Sequence, residues 1–416
     1  MITPHLMISL LIILVAAWIM GSLFSRFGLP FVLGELLAGV VIGPPILGLV
    51  GPSPGIELLA EFGIFFVMFH TGMEMDPGEL LEHLWPSLAV AVGGFVLPFI
   101  LGYFITMAFG GTLHQSLFVG MGISITAIAV QSVILHSLKI STTYIGHIII
   151  GAAIADDILS LVGLSILLSL ARTGTIEVSG LVMVIAKVVG FFGVTILLGQ
   201  FVVPRFTGKV HDREGKAFTF AMASALTMAY LAELVGLHLI IGAFLAGQFV
   251  RKEIMDHKIY EAIQDRFYGI SYGFLLPIFF ASLSFHLHFE WNMPFLAFAF
   301  ALTLMAVIGK LLGCGLGYAV FRRNFWESII VGFGMNGRGA VEIVVASVVL
   351  KLSEELMSSG HVLEPLLTQD QFSALILMAF ITTMIAPLTL KWAVTKACSR
   401  DESSSFCVLW EEKKNL

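Results

Sequence analysis

The sequence predicts an all-α polytopic membrane protein of about thirteen transmembrane helices, organised as two inverted six-helix repeats with crossed broken helices. Of the 416 residues, 58% are hydrophobic and only 12% are charged. Soluble domains carry about twice that fraction of charge. Two further observations, the length of the apolar segments and the side on which positive charges gather, lead to the same prediction and exclude a soluble globular protein.

Thirteen apolar segments follow one another along the chain, and a helix needs about 20 such residues to cross a bilayer. Their ranges are 6–24, 30–47, 56–72, 85–109, 115–135, 143–170, 178–203, 217–235, 237–250, 268–283, 293–320, 328–350 and 372–394. The ninth and tenth segments are short, so their boundaries are the least defined.

The charge pattern predicts how these segments are oriented. With the N-terminus outside, most of the 22 Lys and Arg residues fall in inner loops, and only Arg172 and Lys351 fall in outer loops. The positive-inside rule therefore predicts a multi-pass protein of the cell membrane, with its N-terminus outside and its C-terminus in the cytoplasm. Arg26, the first basic residue, follows the first apolar run, which reads as a membrane span rather than a cleaved signal peptide.

Two adjacent carboxylates, Asp156 and Asp157, interrupt the sixth segment. Each costs about 2.5–3.5 kcal/mol at the centre of a membrane helix, so acids at this depth indicate function by default. Neighbouring side chains on a helix point about 100° apart. One carboxylate can therefore meet a buried partner while the other faces a water-filled cavity, which predicts an ion or proton site.

Lys310 lies inside the eleventh segment, where an ammonium needs a carboxylate partner. Asp156 and Asp157 are the expected partners, although a lysine that snorkels to the interface remains an alternative. Gly309 and Gly313 belong to a repeat of glycines at four-residue spacing, which predicts a face that another helix approaches closely.

Glycine-rich interruptions occur in the fifth and twelfth segments, at residues 120–126 and 332–339. Each segment is the second-last of its six-helix half, and paired interruptions of this kind indicate broken helices around a midplane site. Ordinary glycine-lined packing faces are the alternative. Arg338 and Glu342 stand one helical turn apart, and we expect them to form a supporting charge pair that stabilises the twelfth segment.

Other motifs carry less information. The glycines of residues 332–337 match a dinucleotide fingerprint, but membrane-length apolar flanks rule out the required βαβ unit. The sequence contains neither a phosphate-binding loop nor cysteine–histidine zinc spacing, so we expect no cofactor, no nucleic-acid partner and no enzyme activity. An ion gradient must then drive any pumping. Five further ionisable residues receive no assigned role: Glu35, His70, Glu74, His147 and Glu233.

Three cysteines at no metal spacing, Cys314, Cys398 and Cys407, are expected to be free thiols. The polar, serine-rich residues 395–416 are expected to form a disordered cytoplasmic tail.

The sequence resembles the monovalent cation:proton antiporter-2 family, and most closely its NapA-type sodium/proton antiporters. Four stretches carry the resemblance: residues 30–44, residues 69–76, the pair Asp156-Asp157, and Lys310. Potassium-efflux relatives carry Gln-Asp at the pair and electroneutral exchangers carry Asn-Asp, and this chain differs from both.

The resemblance implies a homodimer with a moving core. The dimerisation domain would comprise residues 1–84 and 204–291, the core ion-transport domain residues 85–171 and 292–394, and residues 178–203 would form a linker helix. It also implies that Thr126 lies near the ion, so that Asp157 and Thr126 would hold the monovalent cation.

The predicted function is exchange of a monovalent cation, foremost Na⁺, for protons. Asp157 would bind one or the other, and Asp156 would pair with Lys310. If that pair carries a second proton, exchange is electrogenic. A K⁺/H⁺ antiporter or K⁺ efflux system is one alternative, a sodium-coupled symporter of organic solutes is another, and a gated ion channel is a third.

Overall fold

A computed structural model gives the arrangement of the chain. It describes residues 4–27, 29–173, 178–199, 216–250, 257–287, 292–322, 324–339, 342, 345–346, 349–350, 352–353, 356–357, 364–400 and 405–415. All regular secondary structure in these residues is helical. Several predicted features lie outside the described residues. They are Lys351, the basic residues 201–215, and residues 251–256, which begin the next predicted inner loop.

Seventeen helices are described. They are α1 (Pro4–Arg26), α2 (Phe31–Ile42), α3 (Pro54–Glu74), α4 (Pro77–Glu82), α5 (Leu84–Ala108), α6 (Leu113–Ser124), α7 (Ile128–Ser137), α8 (Tyr144–Thr173), α9 (Val178–Leu197), α10 (Lys216–Val235), α11 (Leu239–Gly247), α12 (His257–Ile270), α13 (Leu276–Leu283), α14 (Met293–Phe321), α15 (Phe325–Gly334), α16 (Gln369–Cys398) and α17 (Ser405–Asn415). A π-helical turn, Ser271–Leu275, joins α12 to α13.

Ten helical stretches in the described residues are long and apolar enough to cross a membrane, which confirms a polytopic membrane protein. Three predicted segments correspond to shorter apolar helices, namely α2, α11 and α15. The number thirteen stays a prediction, because these helices are shorter than a full span.

Helix starts follow local sequence rules. Thr112 and Gln115 form a capping box at the start of α6, and Thr368 and Gln371 form another at the start of α16. Gln371 Nε2 donates to Gln115 Oε1 at 3.1 Å, so the two boxes are joined. The capping residues therefore also hold the N-termini of α6 and α16 beside each other.

The fifth and twelfth segments are both broken. Helix α6 ends at Ser124, Ile125 is extended, and α7 begins at Ile128. Helix α15 ends at Gly334. The described residues between 342 and 357 are helical, and the remainder of the second half of this segment lies outside the described residues. The interruptions expected from the glycine-rich sequence are thus present.

Helices α5 and α14 cross closely through glycines. A Cβ at Gly313 would overlap the backbone of Gly93, and one at Gly309 would lie 2.9 Å from the Cα of Pro98. This is the approach expected from the four-residue glycine spacing. It brings the middle of α14, which carries Lys310, against the middle of α5.

A second group of helices packs in the same way. Gly34 of α2 lies against the backbone of Gly21 in α1, and Gly72 of α3 faces the backbone of Phe244 in α11. Helix α13 packs on α2 and α3, and α9 packs against α8 and α10. Glycines therefore set the spacing of α1 against α2 and of α3 against α11, as they do for α5 against α14.

The C-terminal residues correct two expectations. Cys398 and Cys407 form a disulfide, whereas free thiols were predicted; Cys314 is free and buried. The tail also contains the helix α17, whose Phe406 is buried and whose Trp410 Nε1 donates to the carbonyl of Leu138 at 3.0 Å. The described part of the tail is therefore packed, because two apolar side chains and the disulfide hold it to the bundle.

Candidate ion-binding site

Asp156 and Lys310 form an ion pair inside the bundle. Helix α8 carries the carboxylate and α14 the ammonium, and Lys310 Nζ lies 3.3 Å from Asp156 Oδ2. Neither side chain has any exposed surface. A pair in such surroundings is stable only if each charge keeps its partner, so the two helices are linked electrostatically at this depth.

Asp157 is held differently. Its side chain is 8% exposed, whereas that of Asp156 is fully buried. Neither carboxylate oxygen of Asp157 has a hydrogen-bond donor among the described residues. A buried carboxylate without donors is costly and needs a cation or a proton to balance it. Of the two neighbouring acids, Asp156 is therefore paired with Lys310, and Asp157 is available to bind a cation or a proton.

Neutral oxygens lie around the acids. The Thr126 side chain lies beside the Asp156 carboxylate, and its hydroxyl makes no hydrogen bond of normal geometry within the described chain. Ser160 stands one helical turn after the acids on α8, and its buried hydroxyl also has no partner there. Ser160 was not predicted as a site residue, although its four-residue spacing from Asp156 could have indicated it.

The two helix breaks cross beside these residues. The backbone N–H of Ala127 donates to the carbonyl of Gly337 at 3.2 Å, and Gln131 Nε2 donates to the same carbonyl at 3.1 Å. Backbone groups freed by the breaks are thus satisfied by the opposite break, as unwound backbone within a membrane requires. Gln131 joins the two breaks, and its place in apolar sequence is the only signal that could have singled it out.

Arg338 fills the crossing. Its guanidinium is fully buried, and Nη1 donates to Glu342 Oε1 at 2.8 Å and to the carbonyl of Ile125 at 3.2 Å. Ile125 follows the C-terminus of α6, where the helix dipole is negative. The predicted pair of Arg338 and Glu342 is therefore present, and its positive charge also reaches the end of α6.

Thr383 of α16 fixes the backbone of the second break. It donates to the Arg338 carbonyl at 2.6 Å and accepts from the Arg338 N–H at 3.1 Å. Sequence reasoning missed this residue, because one hydroxyl in a long apolar helix carries no distinguishing spacing.

Other acidic and histidine residues without an assigned role lie elsewhere. Glu35 is buried within α2. His147 Nδ1 lies 3.2 Å from Glu79 Oε2, which ties α8 to α4. We assign neither residue a role at the candidate site.

The donor set suits a small monovalent cation. It contains one available carboxylate and neutral hydroxyl oxygens, whereas a divalent ion such as Ca²⁺ takes six to eight oxygen ligands, several of them carboxylates. The carboxylate of Asp157 can equally take a proton. The site can therefore hold a cation or a proton at one position.

Crossed broken helices beside buried carboxylates define an ion-coupled secondary transporter. Comparison with known proteins identifies the family. Residues 10–396 match the family described as sodium/hydrogen exchanger, transmembrane, and the chain belongs to this family. The resemblance to cation:proton antiporters is thereby confirmed.

Individual relatives agree. The chain is 34% identical to the Na⁺/H⁺-K⁺ antiporter GerN of Bacillus cereus, over 92% of this chain and 94% of that protein. It is 29% identical to a Na⁺/H⁺ antiporter of Enterococcus hirae, over 93% and 97% of the two chains. The sodium proton antiporter MjNhaP1 of Methanocaldococcus jannaschii shares the fold, with a TM-score of 0.76 at 17% identity over 95% and 97% of the chains.

Proposed function

We propose that this protein exchanges a monovalent cation, Na⁺ foremost, for protons across the cell membrane. The observation that carries the proposal is the buried Asp157 carboxylate, which has no donor among the described residues and stands next to the committed pair of Asp156 and Lys310. The names of the relatives from Bacillus and Enterococcus support the same substrates.

Coupling follows from competition at one carboxylate. Asp157 binds the cation with help from the hydroxyl of Thr126, or it binds a proton, and it cannot hold both. Each time the site changes sides of the membrane, it then carries either the cation or the proton. Because Asp156, Asp157 and Lys310 interact strongly, they titrate as one coupled set.

Electrogenic exchange follows if the pair of Asp156 and Lys310 carries a second proton. Two protons then move against one cation, and net charge crosses the membrane. The membrane potential biases such a cycle by about 2.3 kcal/mol per charge at 100 mV.

Alternating access would come from movement of a core against a second domain. The core would comprise residues 85–171 and 292–394, and the dimerisation domain residues 1–84 and 204–291, linked by residues 178–203. The exposed apolar side chains of α1, among them Trp18 and Leu11, supply a surface for lipid or for a second copy. The protein would act as a homodimer, with its N-terminus outside and its C-terminus in the cytoplasm.

The name of the Bacillus relative includes K⁺, so K⁺ is the second candidate cation. A site with one carboxylate and hydroxyl oxygens can take either ion, and the assay below compares them directly.

The test uses purified protein in proteoliposomes with a clamped potential and an internal pH dye. Adding Na⁺ on one side should move protons the other way without any organic solute, and the rate should depend on voltage. Asp157→Asn should abolish this movement, whereas Asp370→Asn, which changes an exposed acid at the start of α16, should leave it intact. Robust exchange by Asp157→Asn would refute the site. Flux that requires an organic solute would indicate a symporter instead.

A further inference from the structure

A second cluster of ionisable side chains lies at one end of the bundle, apart from the aspartates. His70 and Glu74 stand one turn apart on α3, and His136 is near the end of α7. Glu74 Oε1 is 3.8 Å from His70 Nε2 and 3.8 Å from His136 Nε2. The three potential ligand atoms all lie within 4.8 Å of one another.

His70 is the residue that needs an explanation. It is 1% exposed, and neither ring nitrogen has a hydrogen-bond partner in the described chain. An unsatisfied buried polar group costs about 1–3 kcal/mol. A ligand that takes electron density from an imidazole nitrogen would remove this cost.

We propose that His70, Glu74 and His136 bind a divalent transition-metal ion, with Zn²⁺ as its representative. Two imidazoles and one carboxylate, with a fourth position left to water, are an established zinc donor set. Ligand atoms about 2.1 Å from a tetrahedral metal are about 3.4 Å from one another. The two 3.8 Å distances reach that spacing with small side-chain rotations.

The surroundings support a cation. A cavity of about 480 Å³ opens beside the cluster, and Glu261 and Asp265 of α12 contribute to its lining. These acids make the approach attractive to positive ions. Gln264 Nε2 donates to Glu74 Oε1 at 3.3 Å, which orients the carboxylate as outer-shell partners of metal ligands do.

The donor set separates this cluster from the transport site. Imidazole nitrogens suit Zn²⁺, Cu²⁺ and Ni²⁺, whereas hard monovalent ions prefer oxygen. The cluster also bridges two parts of the molecule: α7 follows the first helix break, and α3 packs against α11 and α13. Thr71, the residue after His70 on α3, is hydrogen-bonded to Ser132, one turn before His136 on α7, so the two helices are already in register.

A metal held by both helices would fix α3 against α7. The next step rests on the proposed function, in which α7 belongs to the moving core. In that scheme the metal would inhibit exchange when it is added on the side of the membrane on which Glu74 lies. The charge pattern predicts this side to be cytoplasmic.

The binding test needs no transport. Purified protein in detergent is titrated with Zn²⁺ against a chromophoric zinc chelator. We expect one site per chain, weakened at least tenfold by His136→Gln and by Glu74→Gln and retained in His136→Cys, since a thiolate also ligates zinc. His114→Gln, which changes a histidine at the start of α6, is the matched control. Equal binding by wild type and His136→Gln, or an equal loss in His114→Gln, would overturn the site.

The inhibition test uses wild-type proteoliposomes. Zn²⁺ added on the Glu74 side should reduce exchange at least fivefold, and EDTA or the His136→Gln substitution should restore it. Undiminished exchange with the metal bound would overturn the inhibition. If the wild type shows no exchange at all, the proposed function fails, and the chelator titration still decides the metal site.

Discussion

The Nζ atom of Lys310 lies 3.3 Å from Oδ2 of Asp156, and both side chains are completely buried. The pair joins α8 to α14 at the level where the two broken helices cross. Removal of one member of a buried pair leaves an uncompensated charge, whereas removal of both leaves none. The pair therefore makes a specific prediction about stability.

Lys310→Ala should lower the stability of the protein by about 3–5 kcal/mol, because Asp156 then remains buried without its partner. The double variant Lys310→Met with Asp156→Asn should recover most of that loss. Thermal unfolding in detergent measures both effects, and Lys396→Ala, an exposed lysine in the last turn of α16, is the control. A double variant as unstable as Lys310→Ala would contradict the electrostatic explanation.

Alanine substitution should change stability in opposite directions at two glycines, because Gly313 lies in the close crossing of α5 and α14 and Gly193 does not. Gly313→Ala should destabilise by about 1–3 kcal/mol, because the added methyl overlaps the backbone of Gly93. Gly193→Ala on α9 meets no atom within 4 Å and should stabilise slightly, because alanine favours helix. Midpoints of thermal unfolding for the two variants give the comparison. Equal shifts would show that propensity, rather than close packing, governs position 313.

Some of the site could be predicted from sequence because charge in a membrane is costly. Asp156, Asp157 and Lys310 stand out from apolar neighbours, and a charge at that depth needs a partner or a function. The glycine interruptions were visible for a similar reason, since they break otherwise apolar helices. The cost of a buried charge and the break made by a glycine can each be recognised within a single segment.

Apart from the charged pair of Asp156 and Lys310, the contacts between distant segments could not be predicted. Gln131 meets Gly337 across 206 residues, and nothing in either segment selects the other. His136 joins His70 only because α7 packs on α3. The disulfide of Cys398 and Cys407 depends on α17 turning back to bury Phe406, and a polar composition gave no indication of that packing.

Competition at Asp157 predicts the sign of the pH dependence. Lower pH raises the protonated fraction of the carboxylate, so the apparent KM for the cation should rise as pH falls, by up to about tenfold per pH unit where one proton competes with one cation. The maximal rate at saturating cation should change little. Initial rates of labelled-cation exchange at equal pH on both sides measure both quantities. A constant KM with a falling maximal rate would place the proton at another group.

The disulfide predicts how the tail is attached. Cys398 and Cys407 are nine residues apart, and closing a loop of that length stabilises the folded tail by about 2–3 kcal/mol. Reduction, or Cys407→Ser, should therefore increase the rate of limited proteolysis within residues 399–415 several-fold. Trp410→Ala should add to the effect by removing the bond to the Leu138 carbonyl. Cys314→Ala, which removes the buried free thiol of α14, should leave the cleavage rate unchanged. Equal cleavage of oxidised and reduced protein would mean that Phe406 and Trp410 hold α17 without help from the disulfide.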